Sequence, residues 1–130
     1  MVLGENHSDT QQTLEDLASL HQKQFRADVK NAIALIEIQK FDEVTPITDK
    51  LLRRAKDKFP DDATAAVWLF KLGDAYQMAY RYKEAADCLK LAVNIDEQVF
   101  GNDSTDVADD LNQLGLIYND WGDYVLSEPY

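Results

Sequence analysis

The chain has 130 residues, 45% hydrophobic and 28% charged, the balance of one globular domain rather than a disordered or membrane-embedded segment. Its net charge of −11 sits in the second half: residues 1–60 hold 9 basic and 10 acidic side chains, and residues 61–130 hold 4 and 14. Such an acidic field repels phosphate backbones and anionic lipid surfaces, so neither nucleic acid nor membrane is an expected partner.

Residues 1–9 read as a disordered tail that lacks the basic start and apolar stretch of a signal peptide. No apolar run approaches the roughly 18 residues of a bilayer span. Over 10–25, Leu14, Leu17, Ala18, Leu20, His21 and Phe25 recur with helical spacing, as an N-terminal cap or an extension of the first helix. The segment 26–60 reads as a degenerate first hairpin. One face of its first helix carries Arg26, Val29, Ile33 and Ile36, apolar enough to expect burial under the leading segment. Its second helix aligns Lys50, Arg54 and Lys58 at i, i+4 and i+8, while Arg53 has Asp49 and Asp57 within i±4 reach. The basic triplet is a solvated outer face or a docking face for an acidic surface. Pro46 is expected in the first turn of this helix, and Pro60 stops it after Phe59.

The second hairpin spans 61–101. Leu69, Leu72, Gly73, Tyr76 and Tyr80 form one stripe, and after a turn near Arg81 a second stripe runs through Tyr82, Ala85, Ala86, Leu89, Ala92 and Val93 to Val99 and Phe100. Gly101 stands where a positive-φ residue ends the helix, and Ser104 or Thr105 is placed to cap the next. In 102–130 the stripe returns as Leu111, Leu114, Gly115 and Tyr118, and a second helix begins at Tyr124 without being completed. The Leu111 and Tyr118 face is therefore expected to be under-covered, a route to homo-oligomers.

Leu69, Leu72, Gly73, Tyr76 and Tyr82 recur 42 residues later as Leu111, Leu114, Gly115, Tyr118 and Tyr124. Ala32, Phe41, Pro46 and Phe59 lie 41 residues before Gly73, Tyr82, Asp87 and Phe100. A fixed period in this range signals a solenoid of helical hairpins. The run Leu69-x-x-Leu72-Gly73-x-x-Tyr76 followed by Ala85, Leu89 and Ala92 resembles the tetratricopeptide repeat signature, with leucine for its tryptophan and phenylalanine. A period of 42 rather than about 34 resembles the kinesin-light-chain type of repeat. So does the segment from Val99 to Ala108, beside that type's V-L-G-x-D-H-P-D-V-A linker, although Ser104 and Thr105 replace His-Pro. Leu111-Asn112-Gln113-Leu114-Gly115 resembles L-N-N-L-A/G, and Ser127-Glu128-Pro129 resembles A-E-P.

The resemblance implies an all-α, right-handed superhelical solenoid whose first helices line a concave groove for an extended peptide. On the third unit the groove face carries Asp109, Asn112, Leu116 and Asn119; on the second it carries Phe70, Asp74 and Gln77, with Lys71 beside it. Asparagine and glutamine offer donor and acceptor together, which suits a peptide backbone of any sequence. Asn112 matches the repeat type's groove asparagine, whereas Phe70 departs from it and offers an apolar anchor instead. With no basic residue after Gly101, a neutral or basic segment suits this field better than an acidic one.

No phosphate-binding loop or dinucleotide fingerprint is present, so no cofactor is expected. His7, His21 and Cys88 lack metal-site spacing, and Asp103, Asp106, Asp109 and Asp110 lack calcium-loop spacing and read as caps plus a solvated face. No nucleophile has a base placed by a recognisable motif, so no catalytic residue is assigned. The lone Cys88, read as semi-exposed, suits a reducing, cytoplasmic compartment. The expected role is a non-catalytic adaptor or scaffold that binds a protein segment. The alternative is self-association or docking within a larger protein.

Overall fold

The computed structural model is all-helical and describes the backbone of residues 5–127 and the side chains of residues 17 and 19–123. Five helices follow in order: α1 (Glu5–Glu37), α2 (Phe41–Lys58), α3 (Ala63–Met78), α4 (Tyr82–Phe100) and α5 (Thr105–Ser127). α1 pairs with α2 and α3 with α4, while α3 also packs on α1 and α5 on α4, so that hairpins stack into a helical-repeat solenoid.

The hairpin turns are copies of each other. Gln39 and Tyr80 both take positive φ, at 62° and 63°. In each turn an amide beyond that residue returns to the last helical turn: Lys40 N donates to Leu35 O and Arg81 N to Tyr76 O, both at 2.9 Å. This 6→1 closure satisfies carbonyls that a helix end otherwise leaves orphaned. Leu35 and Tyr76 are 41 positions apart, as are Lys40 and Arg81, which is the offset that aligns the first hairpin with the second. α4 ends on Gly101 at φ 82°, where a side chain would be strained.

The core runs through both hairpins. Phe25, Val29, Ala32 and Ile36 of α1 meet Val44, Leu51 and Ala55 of α2 and Leu69, Leu72 and Tyr76 of α3, all buried. Tyr76 and Thr48 hydrogen-bond through their hydroxyls inside this core, joining α3 to α2. Burial pushes the Tyr76 phenol up to about 12, so it is a neutral hydroxyl at any physiological pH. Gly73 lets α4 approach α3: a Cβ there would collide with the Leu89 side chain and press on Ala85 O at 3.2 Å.

Several expectations are corrected. Residues 5–9, expected within a disordered tail over 1–9, have their backbone within α1. Of the two readings of 10–25, a separate cap or an extension of the first helix, the backbone takes the extension, so Val29 and Ile36 are buried within the cluster shared with α2 and α3 rather than under a leading helix. Tyr80 leaves the stripe, because α3 ends at Met78 and the left-handed turn swings its side chain into solvent. Val99 and Phe100, expected on the buried stripe, are exposed at the end of α4. Pro46 falls in the second turn of α2, since that helix begins at Phe41. Cys88 is fully buried rather than semi-exposed, in contact range of a Cβ at Gly73, and desolvation pushes its thiol upward. Pro129 and the 128–130 end of the third unit lie outside the described residues.

Candidate peptide-binding groove

α3 and α5 are each anchored at their starts, and α1 lies beside α3. Asp62 caps α3 by accepting from Thr64 N at 2.9 Å, and Gln22 of α1 donates to its other oxygen at 2.6 Å. Ser104 caps α5, its Oγ accepting from Val107 N at 3.1 Å. Between these helices lie two cavities. One, of about 380 Å³, runs between α1 and α3 and is lined by Ile33, Glu37, Lys71, Asp74 and Met78 among others. The second, of about 440 Å³, opens between the first halves of α3 and α5 and reaches down to α4; Val67, Phe70, Lys71, Asp96, Phe100, Asp106, Asp109 and Asp110 line it. Lys71 borders both, its ammonium 4.4 Å from the Trp68 ring centroid.

Of the residues the sequence assigned to a groove, Phe70, Lys71 and Asp109 come together on the larger cavity, and Lys71 and Asp74 on the smaller. Asn112, Leu116 and Asn119 are exposed on α5 and line neither of these two cavities. Gln77 is engaged inside the protein: its amide donates to Asp120 at 2.9 Å, and its carbonyl accepts from Gln113, so it ties α3 to α5. The helices are thus bridged at one end and open at the other.

The basic triplet lies elsewhere, on α2. Lys50 and Lys58 are exposed, but Arg54 pairs with Asp28 at 2.8 Å and lies over the Phe25 ring at 5.3 Å, bracing α2 against α1.

The floor of the larger cavity was not legible as a site. Asp110, expected on a solvated face, is 4% exposed, and Asp96 of α4 is 7% exposed. Burial first, then the neighbouring Asp96 side chain, pushes the Asp110 carboxyl up to about 8. Two signals pointed inward: Asp110 stands 42 positions after the half-buried Trp68, and Asp96 continues the Leu89 and Ala92 stripe at i+7 and i+4. Among the described residues no group of three or more ligating side chains is arranged to hold a metal ion.

α5 buries Val107, Asp110 and Ile117, while Leu111 is 50% and Tyr118 42% exposed. Lys90 of α4 lies 5.7 Å from the Tyr118 ring centroid and gives that edge partial cover.

A tetratricopeptide repeat family profile matches residues 61–130. The chain belongs to the tetratricopeptide repeat family. No curated protein and no solved structure gives a significant match. Repeats of this family generally mediate contacts between proteins, and the paired α3–α4 hairpin followed by α5 is the arrangement the profile covers. No described helix is long and apolar enough to cross a membrane.

Proposed function

We propose that this tetratricopeptide repeat domain is a non-catalytic adaptor that takes an extended segment of a partner protein along the valley formed by α1, α3 and α5. The observation that carries this reading is the pair of cavities flanking α3 with Lys71 on the ridge between them. An extended peptide crossing that ridge would place successive side chains in the two cavities, with Asp74 and Asp109 beside its path and Asn112, Leu116 and Asn119 along α5. Gln77 serves this groove indirectly, by holding α3 and α5 at a set spacing. The division into a first repeat over 26–60, a second over 61–101 and a third from 102 belongs to the same reading. So does the 42-residue, kinesin-light-chain-like character, supported by α3 and α5 starting at Ala63 and Thr105, 42 positions apart. A neutral or basic segment fits the acidic surroundings of the larger cavity, and the single free thiol suits a cytoplasmic setting.

The test is selection of linear peptides from a random display library on the full chain, followed by binding to Asp74→Lys and to the Asn112→Ala/Asn119→Ala double variant. Enriched peptides that lose at least tenfold in affinity for these variants, with helicity unchanged, support the groove. Failure to enrich any linear peptide, or indifference to both variants, overturns it.

Exposed Leu111 and Tyr118 favour a second reading, in which this face packs on another copy or another domain. Lys50 and Lys58, whose side chains stay exposed on α2, are cations of the basic triplet available to meet an acidic surface in such an assembly.

A further inference from the structure

We propose that the cavity between α3, α4 and α5 receives one lysine or arginine side chain of the partner polypeptide, its stem against Val67, Phe70 and Phe100 and its cationic head at Asp96 and Asp110. This rests on the groove reading and assigns the chemistry of its anchor.

The cavity is divided as such a side chain is divided. Its walls are apolar, and Val67 and Phe100 are large hydrophobic residues left exposed with no described helix over them. Its floor is anionic. Asp110 Oδ2 is buried without a hydrogen-bond partner, and the group beside it is a second buried carboxylate, Asp96. Two carboxylates facing each other out of water need a proton or a cation between them. Among the described residues no N–H or O–H is donated to that oxygen. The cation bordering the cavity, Lys71, is held over Trp68.

The rim adds to the attraction. Asp106 and Asp109 of α5 are exposed at the mouth, so four aspartates and one lysine line the cavity. A volume of about 440 Å³ accommodates a single long side chain with water, within the roughly 300–1,000 Å³ of ligand pockets generally. Long basic side chains bury an aliphatic stem along apolar walls while presenting charge at the tip. Arginine would add a planar fork matched to paired carboxylates.

A pH signature follows. The Asp110 carboxyl, raised by burial and by Asp96, holds a proton near neutrality that an entering cation displaces. Asp96 faces it from α4, Asp106 and Asp109 from α5, and Lys71 borders the site from α3. Affinity for the cation therefore rises as pH rises towards 8.

The experiment titrates the 15N-labelled full chain with n-butylammonium and n-butylguanidinium, using n-butanol as the neutral comparator. The expected result is saturable amide shifts at Val67, Asp96, Phe100 and Asp110 with both cations. Affinity should be at least tenfold above butanol and at least threefold tighter at pH 8 than at pH 6. Asp110→Asn should remove the preference for cations. The exposed Asp106→Asn/Asp109→Asn pair, which leaves the core untouched, should weaken binding severalfold. Cations that bind no better than butanol overturn the proposal, as does a cation preference that survives in Asp110→Asn with helicity intact. The peptide selection separates this inference from the groove reading. Enriched peptides with a lysine or arginine at one position, lost on Asp110→Asn, support both. Enriched peptides without a basic residue overturn the anchor and leave the groove. Cation binding without any enriched peptide overturns a polypeptide as the source.

Discussion

Asp96 of α4 and Asp110 of α5 meet side chain to side chain beneath the surface, where α5 joins the second hairpin. Their encounter places a proton in an interface between helices, and it makes that interface sensitive to pH.

The sign follows from the direction of the shift. The Asp110 pKa is raised from 3.8 to about 8 on folding, so between those values the native state binds more protons than the unfolded chain. Its contribution to stability is present in full below the unfolded pKa and is lost as pH rises through the folded one. Urea unfolding is expected to show stability falling between about pH 4 and pH 8. Asp110→Asn keeps a donor for Asp96 without the ionisation. It should flatten this dependence and raise stability at pH 8 by about 1–3 kcal/mol, the scale of an unsatisfied buried polar group. A variant that keeps the wild-type slope would show that other groups set it.

Gly73 and Gly115, 42 positions apart in the sequence, should respond in opposite directions to alanine. At Gly73 the new Cβ enters the packed Leu89 and Cys88 region. Overpacking of that kind costs about 1–3 kcal/mol and outweighs the helix-propensity gain of about 1 kcal/mol. At Gly115 a Cβ meets nothing within 4 Å. There Gly→Ala is expected to stabilise by about 0.5–1 kcal/mol. Thermal or urea midpoints of the two single variants decide the matter.

Cys88 is expected to be inert in the native state. It is fully buried, and desolvation together with Asp87 and Glu84 disfavours the thiolate. Modification by an aromatic disulfide reagent should proceed at the rate of global or sub-global opening and accelerate in step with added urea. Rapid stoichiometric labelling in buffer would contradict the packing described for the Gly73 region.

The exposed Leu111 and Tyr118 give the assembly reading a direct check. Sedimentation of Leu111→Gln/Tyr118→Gln should show less concentration-dependent association than the parent, with the same helical content. If the parent is monomeric at all concentrations, or if the double variant associates equally, this face is not a self-association surface.

The hairpin pattern, the all-α class and most of the central core were legible in the sequence. The stripe of Leu69, Leu72, Gly73 and Tyr76, and that of Tyr82, Ala85, Ala86, Leu89 and Ala92, are buried as their helical spacing requires. Like residues recur at a spacing of 42 in the sequence, but burial did not follow that spacing to Leu111 and Tyr118. A stripe reports which residues share a face; whether that face is covered depends on a neighbouring helix, and no described helix covers α5 there. Side-chain commitments were also out of reach. Gln77 and Arg54 read as available polar and basic groups, yet each is drawn to a partner on another helix, Asp120 and Asp28.

By itself the sequence determined the helix faces of the second hairpin and the turns near Arg81 and Gly101, because these follow from local spacing and, at Gly101, from a conformation that glycine tolerates; the turn expected before Tyr124 is absent, since α5 continues to Ser127. Only the tertiary structure decided that two aspartates from different helices share one buried floor beneath an apolar cavity. Burial and carboxylate pairing are properties of how α3, α4 and α5 come together, and a linear order of residues carries no record of that distance.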